Sequence, residues 1–211
     1  METFVPALRI GIPRDPLLTF DEPTHRYRHG ERELIGVTAA LDAAGLIDSE
    51  WWTDGSAMRG QQVHAAVRML HTDRTRGYSD NEYGDTLAPF MRAYHRFERE
   101  SGMVIDASEE LHCDPLLGAA GTLDLRGALP PVGPWIDIVD IKTGTIPSHV
   151  GYQTAGYARL LPVAMRGRVR RWVLNLRADG TYALRPLTNA ADTRVFLAAV
   201  IVAQAKKGWF K

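Results

Sequence analysis

Residues 135–144 read WIDIVDIKTG, an apolar run that Asp140 interrupts and that the pair Thr143-Gly144 ends. Val139 and Ile141 mark a buried strand. Side chains two apart in a strand share a face, so Asp140 and Lys142 present a carboxylate and an ammonium together, while Ile141 points into the opposite packing layer. On an exposed strand such a pair is ordinarily a solvated ion pair worth under about 1 kcal/mol. Here it stands beside a buried run, at the end of a strand, where a charged site at a sheet edge is expected.

Two further strands precede this one, VIDASEELHC at 104–113 and GAAGTLDLRG at 118–127, and the loop LPPVGP at 129–134 separates them from it. Two of the three strands are expected to meet in an antiparallel hairpin. If the strand carrying Asp124 pairs with the one carrying Asp140, the two carboxylates reach one face and make a hard-oxygen site suited to magnesium or manganese. Phosphodiester hydrolysis needs an activated water, a stabilised pentacoordinate phosphate and relief of charge on the departing oxygen. Two carboxylates, a metal and Lys142 can divide that work.

Helical text lies on both sides of the strand cluster. Residues 56–71 set Val63, Val67 and Leu70 at helical spacing, with Gly60 and His64 four apart on a neighbouring face. A glycine there lets another segment come close to the histidine. A polar loop at 73–80 leads to a second amphipathic helix over 83–100, stopped by Gly102. After the cluster come a helix over 150–161, a hairpin over 170–187 with Asp179-Gly180 as a two-residue turn, and a last helix over 191–206. Before it, residues 20–38 predict a small hairpin around a turn containing Gly30, and 37–44 a short helix closed by Gly45. The order predicts a mixed α/β domain around a single sheet.

Bulk properties fit one domain. The chain has 211 residues and 45% hydrophobic content, enough for one well-packed core. Residues 1–19 hold three prolines and no clear period, and are read as an arm before a single domain at 20–211. Lys and Arg together number 25, as do Asp and Glu, so any nucleic-acid affinity must come from a local patch. Cys113 is the only cysteine, which excludes an intramolecular disulfide and a four-cysteine cluster made by this chain alone. No stretch approaches the roughly 18 apolar residues of a membrane span, and a soluble protein in a reducing cytoplasm is expected.

Several separated motifs occur together in order: His64 in GQQVHAAVRML, Glu110 in EELHC, Asp124 in GTLDL, Asp140-Ile141-Lys142-Thr143-Gly144, and Gln153 with Tyr157 in YQTAGYARLL. This set resembles the RecB-like branch of the PD-(D/E)XK nucleases, and THRYRHGERELIGVT at 24–38 resembles the entry hairpin of phage-encoded members. The resemblance implies a restriction-endonuclease-like core: a central mixed β-sheet flanked by helices, with an N-terminal hairpin and helical segment. It implies Asp124, Asp140 and the main-chain carbonyl of Ile141 as ligands to Mg2+ or Mn2+, His64 as a further ligand, and Lys142 as the catalytic lysine. Gln153 and Tyr157 match the QxxxY motif facing the site. Without the resemblance, His64 reads as a hydrogen-bonded core histidine and Tyr157 as ordinary core.

Glu109 adjoins Glu110, and a one-residue change of register would exchange them between faces. Glu110 is favoured because it shares parity with His112 and not with the core-directed Leu111. DNA is the implied substrate, and the implied setting is a bacterial or phage-infected cytoplasm with a single-strand annealing or recombination protein as partner. Within that resemblance the expected activity is an exonuclease of phage-type recombination or DNA processing. The alternatives are a structure-specific endonuclease or resolvase, and a non-catalytic DNA-binding protein on the same fold. Arg26, Arg28, Arg68, Arg159, Arg166, Arg168, Arg170 and Arg171 are candidate phosphate contacts, and Trp51-Trp52 a candidate base-stacking or loop-anchoring pair.

Overall fold

Strand β5 (Ala119–Ala128) organises the molecule, because three other strands pair with it. In the computed structural model, which describes residues 11–47, 54–72, 83–131 and 133–209, β4 (Val104–Asp114) runs antiparallel along the whole of one β5 edge. The other edge is divided. β3 (Arg32–Gly36) pairs in parallel with Ala119 and Ala120, and β6 (Ile136–Lys142) pairs antiparallel with Leu125, Arg126 and Gly127. Between these contacts, Gly121 to Leu123 have a ladder partner only on the β4 side, and Asp124 is in no ladder pair. The sheet therefore opens at Asp124.

The remaining strands extend the two arms of this fork. β1 (Leu18–Asp21) and β2 (Arg26–His29) continue from β3 as an antiparallel meander, so residues 18–36 form two successive hairpins where one was expected. Leu18, placed in the arm by the sequence, is already a buried residue of β1. On the other side β7 (Val169–Leu176) lies parallel to β6, and β8 (Tyr182–Pro186) lies antiparallel to β7. The β7–β8 connection is wider than the expected two-residue turn: the Gly180 N–H donates to the Arg177 carbonyl at 3.1 Å and the Arg177 N–H to the Thr181 carbonyl at 3.0 Å. Gly180 takes the left-handed conformation with φ 79°, the position a three-residue hairpin loop reserves for glycine.

Helices cover both faces. Ile136 and Ile138 of β6 pack with Leu41 of α1 (Val37–Ala43), Leu160 of α4 (Val150–Leu160) and Phe196 of α6 (Asp192–Lys206). Val139 and Ile141, one residue out of phase, pack on the opposite face with Val63 and Val67 of α2 (Asp54–Thr72) and Phe97 of α3 (Gly84–Ser101). This alternation is the period-2 pattern of a strand buried on both sides. A four-residue helix α5 (Val163–Arg166) follows α4. Close approach of α4 to its neighbours depends on Gly156, where a Cβ would fall 2.8 Å from Phe196 and 2.9 Å from Val37.

Four of the arginines proposed as phosphate contacts belong to the framework instead. Arg159 and Arg166 both donate to Asp114, at 2.6 and 3.0 Å, and Arg171 donates to Asp192 at 2.9 Å. Arg170 grips Asp137, which is fully buried and also accepts from Trp172 and from the Leu129 N–H. A buried carboxylate is tolerated when its lone pairs are filled in this way. Trp51-Trp52 and the 73–80 loop lie outside the described residues. Among the described helices none is long and apolar enough to cross a membrane.

Candidate active site

The fork in the sheet brings together side chains from both helical layers. Because β5–β6 pairing ends at Leu125 opposite Val139, the Ile141 N–H has no partner on β5 and donates instead to the Asp124 carboxylate, with 2.6 Å between N and Oδ2. A buried amide must find an acceptor, and this one orients Asp124. From the α2 layer, His64 brings Nδ1 to 3.0 Å from Glu109 Oε1 and 3.5 Å from Asp124 Oδ1. One ligand atom each of His64, Glu109 and Asp124 lies within 4.8 Å of the other two. Gly60 faces Thr143, but a Cβ there would lie 3.9 Å from Thr143 Oγ1, an ordinary contact that does not require glycine.

From the α4 layer comes a polar chain. Lys142 Nζ lies 2.8 Å from Asp140 Oδ2 and donates to Gln153 Oε1 at 3.1 Å. Gln153 Nε2 donates onward to the Tyr157 hydroxyl at 3.1 Å and to Thr38 Oγ1 at 3.3 Å. Gln153 and Tyr157, four apart on α4, thus share one face as their spacing requires. Asp140 is 2% exposed, and among the described residues neither of its carboxylate oxygens accepts a well-directed hydrogen bond; the nearby Lys142 attracts it by charge.

Electrostatics follow from this crowding. Burial pushes the Asp140 carboxyl up to about 6, and the Lys142 charge only partly offsets it. Asp124 is raised by the same burial, against the pull of the His64 charge. Burial disfavours charged forms of His64 and Lys142 as well, yet the surrounding carboxylates prevail: His64 rises to about 9 and Lys142 rises above its ordinary value. Lys142 is therefore an ammonium at neutral pH. Tyr157, buried and facing the Asp124 and Asp140 charges, stays a neutral phenol.

Among solved structures the chain is similar to a candidate exonuclease from Eubacterium rectale, at 12% identity and a TM-score of 0.50 over 83% of this chain and 82% of that one. The fold is restriction-endonuclease-like. An alkaline exonuclease from Laribacter hongkongensis also matches, at 14% identity and a TM-score of 0.41 over 84% of this chain and 91% of that one. No family model and no curated protein matches.

Within this restriction-endonuclease-like sheet, one residue favoured by sequence is displaced. Glu110 does not face the cluster: Arg126 forks onto it at 2.6 and 2.9 Å, and His112 Nε2 lies 2.8 Å away. Parity with His112 was correctly read, but that face is turned to Arg126. Glu109 takes the site position. Its φ of 50° breaks the regular alternation of β4, and the flanking pairs Ser108 with Leu125 and Glu110 with Leu123 set it across from Asp124. Cross-strand neighbours share a face.

Other residues at the candidate site carried no sequence signal of their own. Thr38 opens α1 and reaches Gln153. Tyr27 donates to or accepts from Thr122 Oγ1 at 3.0 Å, and burial, helped by the nearby Glu109 and Asp124 charges, raises its phenol. Arg59 donates to the Thr143 carbonyl at 3.3 Å and fixes the turn after Lys142. His149, just before α4, is 2% exposed; burial and then the Lys142 charge lower its pKa.

The donor set fits a divalent cation. Glu109, Asp124 and Asp140 are three carboxylates against the two cations His64 and Lys142, and Lys142 is paired with Asp140 at 2.8 Å. Carboxylate oxygens are the donors hard divalent cations take, and His64 could join them only by releasing its proton as the cation binds.

Proposed function

We propose that the chain is a divalent-metal-dependent deoxyribonuclease, an exonuclease of phage-type DNA recombination or processing. His64, Glu109, Asp124 and Asp140 would hold Mg2+ or Mn2+, with the Ile141 carbonyl as a further ligand by resemblance, and Lys142 is the catalytic lysine. The observation that carries this reading is the buried Asp140 carboxylate, paired at 2.8 Å with Lys142 and adjoining the His64, Glu109 and Asp124 cluster. Asp124 and Asp140 are both buried and repel one another, and a divalent cation would relieve that repulsion beyond what Lys142 supplies.

A bound divalent cation supplies Lewis-acid stabilisation of the charge that builds on the phosphate. The chain supplies the remainder. Lys142, kept as an ammonium by Asp140 and Asp124, acts as a charge and hydrogen-bond donor that orients the attacking water, a role its raised pKa favours over that of general base. Gln153 limits where the ammonium can go, and Tyr157 and Thr38 hold Gln153. Pre-set orientation of this kind lowers the cost of reaching the reactive geometry. The domain proposed to do this begins at β1 and is a single unit; a single-strand annealing or recombination protein is the proposed partner.

Digestion of linear, nicked, closed circular and single-stranded DNA, with and without manganese, tests the reading. Metal-dependent loss of linear DNA with the closed circle intact is expected. Cleavage of the closed circle would replace the exonuclease by an endonuclease, and no cleavage of any substrate would overturn the nuclease itself.

A further inference from the structure

A second group of metal-binding side chains lies apart from the acidic cluster. Asp15 precedes β1, His29 ends β2 and Cys113 lies near the end of β4. One ligand atom of each is within 4.8 Å of the other two. Asp15 Oδ2 is 3.1 Å from His29 Nε2 and 3.8 Å from Cys113 Sγ. The carboxylate is itself oriented, because its other oxygen accepts the Leu17 N–H at 2.9 Å.

We propose that Asp15, His29 and Cys113 form a zinc site. Zinc bonds of about 2.0–2.3 Å in a tetrahedron set ligand atoms roughly 3.3–3.8 Å apart, so small side-chain movements suffice. Thiolate, imidazole and carboxylate together are a borderline-soft set that selects zinc over magnesium or manganese. The side chains of His29 and Asp15 are 23% and 38% exposed, which leaves an approach for the ion and a fourth ligand.

The competing role for this cysteine is a reactive thiol. Burial, reinforced by the Asp15 charge, pushes the Cys113 thiol up to about 11, the opposite of what a nucleophile needs. Zinc binding instead exchanges the thiol proton for the ion: the S–H bond breaks, the S–Zn bond forms and the proton leaves to solvent. The ligands come from three segments, so the ion would pin the residues ahead of β1 onto β2 and β4. That meander carries Tyr27, which borders the acidic site.

Cobalt titration of the metal-free full chain tests the proposal, since cobalt replaces zinc and shows a near-ultraviolet sulfur-to-cobalt charge-transfer band only when a thiolate binds it. The band is expected in the wild type, is lost in Cys113→Ser, persists in Asp124→Asn and is bleached by added zinc. Absence of the band in the wild type, or an undiminished band in Cys113→Ser, would overturn the site. Should Cys113→Ser lose its folded circular-dichroism spectrum, His29→Gln serves instead: a weakened band supports the site and an unchanged one refutes it.

Discussion

Glu109 and Glu110 are neighbours in the chain but serve different clusters: Glu109 Oε1 lies 3.0 Å from His64 Nδ1, whereas Glu110 is held by Arg126 at 2.6 and 2.9 Å. The pair would separate the proposed metal binding from framework stability. Glu109→Gln removes a charge from the proposed ligand set and is expected to weaken manganese binding roughly tenfold or more, while Glu110→Gln leaves it near the wild-type value. Calorimetric titration of both variants decides this; equal affinities would argue that Glu109 is no ligand.

The same ion pair makes a pH prediction. Burial opposes the charged form of Glu110, but hydrogen bonds from His112 and Arg126 outweigh it and hold the carboxyl down to about 2. A depressed folded pKa contributes stability that is complete above the ordinary value near 4.5 and is lost as pH falls toward 2. The contribution is at most about 3 kcal/mol. Urea unfolding should therefore show wild type more stable than Glu110→Gln near neutral pH, with the gap closing on acidification below about 4.5. A gap that widens there would refute the ion-pair explanation.

Gln153 joins the lysine to the helix, accepting from Lys142 Nζ and donating to Tyr157 and Thr38. Gln153→Leu is expected to lower kcat roughly tenfold or more without unfolding the protein, and Thr38→Val, which removes one neutral hydrogen bond worth about 1 kcal/mol, roughly fivefold. Steady-state cleavage rates with circular dichroism alongside check both. An unchanged kcat in Gln153→Leu would mean that the ammonium needs no such support.

Much of this arrangement could be read from the chain because it follows from local periodicity. Asp140, Ile141 and Lys142 alternate as a strand must, and Gln153 with Tyr157 are one helical turn apart. What escaped depends on long-range register. The choice of Glu109 over Glu110 turns on a left-handed residue within β4 and on which β5 residue lies opposite, neither of which a pattern of apolar residues encodes. Likewise, Arg159, Arg166, Arg170 and Arg171 looked like a basic surface, but their partners Asp114, Asp137 and Asp192 lie at sequence separations of 21 to 52 residues. Asp179-Gly180 named the turn correctly and its width wrongly, since the same dipeptide suits a two- or a three-residue loop.

The most direct test is hydrolysis of a labelled linear DNA duplex in manganese by wild type and by Lys142→Ala, with folding of both verified. Wild type should cleave only when the metal is present, and the variant should be slower by roughly 10²–10⁴-fold, the usual worth of a positioned proton-handling or charge-stabilising side chain. Equal cleavage by folded Lys142→Ala and wild type would contradict the assignment of the site.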